Sequence, residues 1–212
     1  MLKREVYSLF ILISTFVLLI GTVYAWFSIT RVTETDMVEL SVDSAKVETY
    51  LYVRKNDEDE QSIVNQDDLT DLLDFGIPGD NYYFRIKLIN HSPDTKTVNI
   101  SFKNMTNHGE VVGADIRDAY LLKDSTVYYD GVASILTPSG ITLPPGYEGQ
   151  ALKPNRLRRF LNIDNNMILI QNEVLPANTE LDITFQVTFD TAISRSAYRG
   201  YLKIEKLIVN IT

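Results

Sequence analysis

The side chains able to do chemistry are sparse in this 212-residue chain, and their spacing limits what they can do. There are two histidines, His91 and His108, and no cysteine. A zinc hydrolase of the His-Glu-x-x-His type needs two histidines one helical turn apart, so that ligands and a glutamate base converge on one ion. Here the histidines stand 17 residues apart, and His108-Gly109-Glu110 falls in a glycine-containing turn region. Both read as exposed loop residues. Without cysteine there is no disulfide, no thiolate metal site and no cysteine nucleophile. A serine nucleophile has no Gly-x-Ser-x-Gly elbow to present it. Gly76-Ile77-Pro78-Gly79-Asp80 lacks the Gly-Lys-Ser/Thr ending that gives a phosphate loop its charge and its magnesium ligand. The chain reads as non-catalytic, with no metal and no cofactor.

Charge offers a second kind of chemistry. Asp57, Glu58, Asp59 and Glu60 form an acidic run, but the calcium hand-loop pattern fails because Ser62 stands where the sharp turn needs Gly and Gln61 replaces a usual ligand. A solvated loop is the first reading and a calcium site the second. The one concentrated basic stretch, Leu152 to Phe160, carries Lys153, Arg156, Arg158 and Arg159. Asp57 and Asp59 of one copy facing Arg156, Arg158 and Arg159 of another would steer a head-to-tail contact that salt weakens. The formal charge is -8, which argues against nucleic acid as a partner, since phosphate binding needs a basic face.

The amino terminus sets the compartment in which these groups must work. After the basic start at Lys3 and Arg4, Leu9 to Gly21 is apolar apart from Ser14 and Thr15, the length of a signal-peptide core. Val23-Tyr24-Ala25 places small residues where a signal peptidase reads, so Val23, Ala25 and Trp26 form the recognition site and the cut falls after Ala25. Left uncut, the run through Phe27 has 19 residues, enough for a marginal membrane anchor. The body is exported in either case. The expected organisation is a leader or anchor over 1–25, an extended arm over 26–36 and one β domain over 37–212.

The body alternates with period two. Val38, Leu40 and Val42 share a face, as do Val47, Leu51 and Val53 of the next run. Leu69, Leu72 and Leu73 sit three and four apart behind a capping Asp, which predicts a short helix in the acidic section. After the Pro-Gly turn, Phe84, Ile86 and Leu88 point inward. Val98, Ile100 and Phe102 do the same after Pro93-Asp94, which predicts a hairpin. From Asn104 to Asn172 the periodicity weakens: 115–124 reads as a helical turn or strand, and 127–136 as one or two strands. Leu181, Ile183, Phe185, Val187 and Phe189 give the longest alternation, wet on the other face, as in antiparallel sandwiches. The last run, Tyr198 to Ile211, slips phase near Glu205-Lys206, which predicts a bulge. The fold class is all-β, an antiparallel sandwich with short helical insertions.

Three stretches resemble the TasA/camelysin family of exported bacterial proteins that build or decorate biofilm fibres and cell surfaces. They are Gly21-Thr22-Val23-Tyr24-Ala25-Trp26-Phe27 in the leader, Pro78-Gly79-Asp80 with the strand ending at Asn90, and Phe185 to Asp190 followed by Tyr198-Arg199-Gly200 and a closing strand. The family commonly has an Asp soon after the aromatic pair, where this chain has Ser28-Ile29. The resemblance implies a jelly-roll-like sandwich, processing by a dedicated signal peptidase, and fibres in which an amino-terminal strand is donated to the next subunit. An arm without a core of its own can satisfy an open sheet edge by pairing with it. Trp26, Phe27, Ile29 and Val32 would anchor it, unless the arm pairs within its own domain or stays flexible. The expected role is a subunit or accessory of a bacterial surface fibre, a homopolymer or one with related subunits, that meets the membrane only through its leader. The alternative is a membrane-tethered monomer that binds a partner through its loops.

Overall fold

Alternating burial builds this protein. The computed structural model describes residues 37–40, 46–74, 76–109, 115–138, 154–192 and 200–212. The leader, with Val23 and Ala25, and the arm, with Trp26, Phe27, Ile29 and Val32, lie outside the described residues. Among the described residues no helix is long and apolar enough to cross a membrane.

The strands are β1 Val38–Leu40, β2 Val47–Lys55, β3 Gln61–Ser62, β4 Asn81–Asn90, β5 Lys96–Lys103, β6 Thr106–Gly109 and β7 Tyr120–Leu122. After them come β8 Thr126–Tyr129, β9 Val132–Ile135, β10 Met167–Leu175, β11 Glu180–Phe189, β12 Gly200–Lys203 and β13 Lys206–Ile211. Among the described residues one α-helix, α1, spans Gln66–Asp74. One sheet has four strands in the order β1-β13-β5-β10; a second has seven, β3-β2-β4-β11-β8-β9 with β7 also on β11; β12 and β6 form a small third sheet. Pairing is antiparallel except between β1 and β13. The all-β, sandwich-like class expected from alternation is the one observed.

The centre is an aromatic cluster that joins the two larger sheets. Phe84 of β4 and Phe185 of β11 are register partners, and their rings stack at 4.7 Å with an interplanar angle of 4°. Phe102 of β5, in the opposite sheet, meets both edge-on at 5.8 and 5.9 Å. Such pairs contribute roughly 0.5–1.5 kcal/mol each beyond area burial. Tyr82, Ile86 and Leu88 of β4 and Leu181, Ile183, Val187 and Phe189 of β11 complete this layer, all buried.

Buried polar side chains clamp β4 at both ends. Asp80 closes the Pro78-Gly79 turn: its backbone N–H donates to the Ile77 carbonyl at 3.0 Å and its carboxylate accepts from the Ile77 N–H at 2.8 Å, with Gly79 at φ +102°. At the other end the Asn90 side chain donates to the carbonyls of Asp94 (3.0 Å) and Pro176 (2.9 Å), tying two loops together.

Two expectations about connection are corrected. The strands on either side of Pro93-Asp94 are not a hairpin, because β4 lies between β2 and β11 while β5 lies between β13 and β10. Alternation fixes which side chains face the core, and two inward-facing strands can meet across it as readily as along a ladder. The closing run is likewise two strands, not one bulged strand: β12 pairs β6, and β13 pairs β5. The phase slip at Glu205 marks the chain leaving one sheet for another. Leu202 and Ile204 remain buried before it, and Leu207, Val209 and Ile211 after it.

The expected helix forms over α1, but its cap is Asn65. The Asn65 side chain accepts from the Asp68 N–H at 2.9 Å and the Asp68 carboxylate accepts from the Asn65 N–H at 3.3 Å, a reciprocal capping box. Leu69 and Leu73 are buried beneath it. In the weakly periodic middle, 3-10 turns over Ile116–Asp118 and Lys123–Ser125 flank β7, and β8 and β9 form a hairpin. Its Asp130-Gly131 turn has φ of +44° and +82°, the sign a two-residue hairpin loop needs at both positions.

Candidate functional site: the groove between two open edges

Among the described residues β9 ends the seven-stranded sheet and β10 ends the four-stranded sheet. Both lie on the same side of the sandwich, because a groove of about 430 Å³ is lined by Tyr129 and Ile135 of the β8–β9 hairpin, by Ile168 and Ile170 of β10, and by Phe160, whose neighbour Leu161 bridges Met167 at the start of β10. The Tyr129 hydroxyl crosses the gap and donates to the Leu169 carbonyl at 2.9 Å. Ile135 is 76 % exposed and Ile168 41 % exposed. Apolar side chains beside unpaired backbone are what an added strand would cover. β10 also carries register shifts on either side of Ile170, and Asn172 stands at φ +56° with its N–H donating to the Asn99 side chain at 2.9 Å. Bulges of this kind blunt edge-to-edge pairing.

On the opposite side the chain bridges the two sheets. The Met37 N–H donates to the Val64 carbonyl at 3.1 Å, and the Met37 carbonyl accepts from the Leu207 N–H at 2.6 Å. One residue thus links β13 of one sheet to the segment after β3 of the other. Its side chain is fully buried.

The residues expected to carry charge contacts between subunits fall into two environments. Asp57 and Asp59 sit on the exposed turn between β2 and β3. Arg156 and Arg158 instead find partners within the chain, because the 3-10 turn Leu157–Phe160 buries Leu157 and Phe160 and carries its neighbours in with them. Arg158 Nη1 lies 2.9 Å from Asp115 and 3.3 Å from Asp118, and Arg156 Nη2 lies 3.9 Å from Asp190. Arg156 also donates to the Asp118 carbonyl, and Arg117 forks onto Asp115. Arg159 is half-buried in the same turn. This cluster ties segment 154–160 to the end of β11, and buried charges of this kind are costly unless paired.

Its two carboxylates are tuned in opposite directions. Burial works against the charge of Asp115, but the Arg117 guanidinium and, behind it, Arg158 hold its pKa below the ordinary carboxylate value. Burial raises the pKa of Asp118, with Asp115 adding repulsion and Arg158 compensating only in part.

His91 is exposed, with Nε2 3.3 Å from a Glu48 carboxylate oxygen. His108 lies in β6, its backbone paired with Tyr201. Among the described residues no three His, Asp or Glu side chains converge to hold a metal.

Ile135 and Ile168 were invisible as site residues in the sequence. Their stretches are apolar on both faces or weakly periodic, and only pairing shows that both strands stand at sheet edges. The available signal was Asp130-Gly131, which marks a hairpin and thereby a second strand with a free side.

No family model and no curated protein matches the chain. Among solved structures, a β-glucosidase from Kluyveromyces marxianus, crystallised in complex with glucose, is 7 % identical with a TM-score of 0.32. The match covers 84 % of this chain and 18 % of that one. A likeness so slight carries neither fold nor function.

Proposed function

We propose that this protein is a non-catalytic, exported structural protein, a subunit or accessory of a bacterial surface fibre, whose jelly-roll-like sandwich accepts the arm of another copy. The observation that supports this reading is the groove between β9 and β10, with two open edges and exposed Ile135 and Ile168. An arm starting at Trp26 after leader cleavage would add a strand along β10 and set Trp26, Phe27, Ile29 and Val32 against the groove. The backbone groups of both strands would then be paired, and apolar surface on both would leave water. Exchange between identical copies is heterologous, so it continues into a filament unless the rotation closes a ring.

The chain contains no cysteine, so an engineered pair reports one contact. Chains carrying Val32→Cys and Ile135→Cys are expected to give disulfide-linked ladders on mild oxidation, while either single variant gives dimers at most. Protein recovered from its native surface is expected to begin at Trp26 or Phe27 and to run as large assemblies. An intact Met1 in a membrane fraction, with monomers only and no ladder, would overturn the fibre reading and leave the tethered surface domain.

A further inference from the structure

On the outer face of the seven-stranded sheet, beside the ion pairs Arg85–Asp182 and Lys87–Glu180, aromatic and cationic side chains gather over β2, β4, β11 and β8. Register places Tyr52 of β2 beside Arg85 of β4, Arg85 beside Thr184 of β11, and Thr184 beside Tyr128 of β8. This is one row across four strands with an aromatic ring at each end. At about 4.8 Å between neighbouring strands the row is roughly 14 Å long. The next row sets Arg54 beside Tyr83 and Tyr83 beside Gln186. Each row holds one cation–π stack, with the Arg54 guanidinium 4.4 Å from the Tyr83 ring centre and that of Arg85 4.4 Å from Tyr52.

A cleft of about 450 Å³ lies over these rows from Arg54 and Arg85 to Tyr128, stopping short of Tyr52, and Lys123 and Glu60 also line it. Three cations, Arg54, Arg85 and Lys123, line the cleft with one carboxylate, Glu60, and a second carboxylate, Asp182, meets Arg85 beside it. Glu60 and Asp182 hold Arg85 in place. Arg54 and Lys123 make no ion pair among the described residues.

We infer that this cleft binds a linear acidic polysaccharide of the polyuronate class. β4 and β11 are paired on both sides, and β2 is paired by β4 on one side and by β3 at Tyr52 and Val53 on the other, so little backbone is offered there to an added peptide strand. What the face offers is aromatic rings for the C–H faces of sugars, the Thr184 hydroxyl for sugar hydroxyls, and Arg54 and Lys123 for carboxylates. The length of the row suits a few consecutive sugar residues of an extended chain. The site lies on the outer face, and the strand that carries Tyr128 outward turns the next residue, Tyr129, into the groove. Glycan binding and strand donation are therefore separable.

The test is electrophoresis of the full chain through gels containing polygalacturonate, dextran or no polymer. Polygalacturonate is expected to retard the protein and dextran to leave it unmoved. Arg54→Gln and Lys123→Gln are each expected to weaken the retardation about tenfold, the loss of one charge-assisted contact. Tyr128→Ala is expected to weaken it comparably although no charge changes. Each variant should keep the parent circular-dichroism spectrum and thermal midpoint; Lys123, exposed on its 3-10 turn, serves as the substitution least able to disturb folding. Equal retardation by polyglutamate or single-stranded DNA, or undiminished retardation of Tyr128→Ala, would reduce the cleft to general electrostatics and overturn the proposal. So would free passage through polygalacturonate. An assembly-blocked Ile168→Lys chain should still be retarded, so failure of the fibre reading and failure of this one give different results.

Discussion

On the side of the sandwich where β1 and β3 run, the chain completes its own structure: Met37 bonds to Leu207 in one direction and to Val64 in the other. Nearby α1 buries Leu69 and Leu73, and Gln66 donates to the Ile204 carbonyl at 3.1 Å. On the side where β9 and β10 run, one hydroxyl, that of Tyr129, spans a groove with exposed isoleucines on both walls. Both sides pose the same physical problem, a row of unpaired backbone groups at a sheet edge. The first is bridged within the chain; at the second, no strand among the described residues pairs the outer edge of β9 or continues the sheet beyond β10. The difference teaches where this fold has stability to lose and where the proposed strand donation would act.

The largest expected effect concerns assembly. Ile135→Lys combined with Ile168→Lys is expected to abolish large assemblies in light scattering while the urea-unfolding midpoint of the monomer stays unchanged. Assemblies that persist would remove the groove from the mechanism. On the bridged side the effect is on stability: Leu73→Ala is expected to cost about 2–5 kcal/mol in urea unfolding, as for a buried leucine with a cavity left behind.

The bridged half also contains the charged clamp at the start of β4. Asp80 is buried, which disfavours its charge, but bonds from the Asn56 side chain and the Ile77 N–H, with Lys55 at 3.0 Å, hold its pKa below the ordinary carboxylate value. A lowered folded pKa means that the stabilisation is complete above the unfolded value of about 3.9 and disappears as pH falls through the folded one. Asp80→Asn is therefore expected to cost about 2 kcal/mol at neutral pH. The gap to the parent should narrow in acid, as read from unfolding midpoints at a series of pH values; a gap independent of pH would exclude the ionic account.

Smaller effects belong to the open side. Tyr129→Phe removes the bond to the Leu169 carbonyl across the groove and is expected to cost about 1 kcal/mol, with faster amide exchange confined to β9 and the adjoining part of β10. Ile135→Ala is expected to change monomer stability by less than about 0.5 kcal/mol. A larger loss would mean that the chain itself covers this edge.

Much of the fold was legible in local pattern. Every inward residue assigned to β4, β5 and β11 is buried, because a strand's period of two is set by its own backbone and the half-buried environment writes it into the sequence. The helix was legible in three leucines, although its Asn65 cap was read as an Asp. The candidate site was less legible. An edge is a property of which strands are missing beside it, and neither Ile135 nor Ile168 differs in type from a core isoleucine. Nor did the basic stretch at 152–160 reveal that Arg156 and Arg158 turn inward, since their partners Asp115, Asp118 and Asp190 are 32 or more positions away.

The sequence by itself determined which side chains face the core, where the chain must turn, and that cysteine chemistry and a His-Glu-x-x-His zinc site are absent. Only the tertiary structure decided which strands pair, that β4 and β5 meet across the core, that the final run divides between two sheets, and which edges remain open. The reason is that facing is fixed by each residue's immediate neighbours along the chain. Pairing is fixed by competition among distant segments for the same backbone groups, and the whole set of strands must settle that competition together.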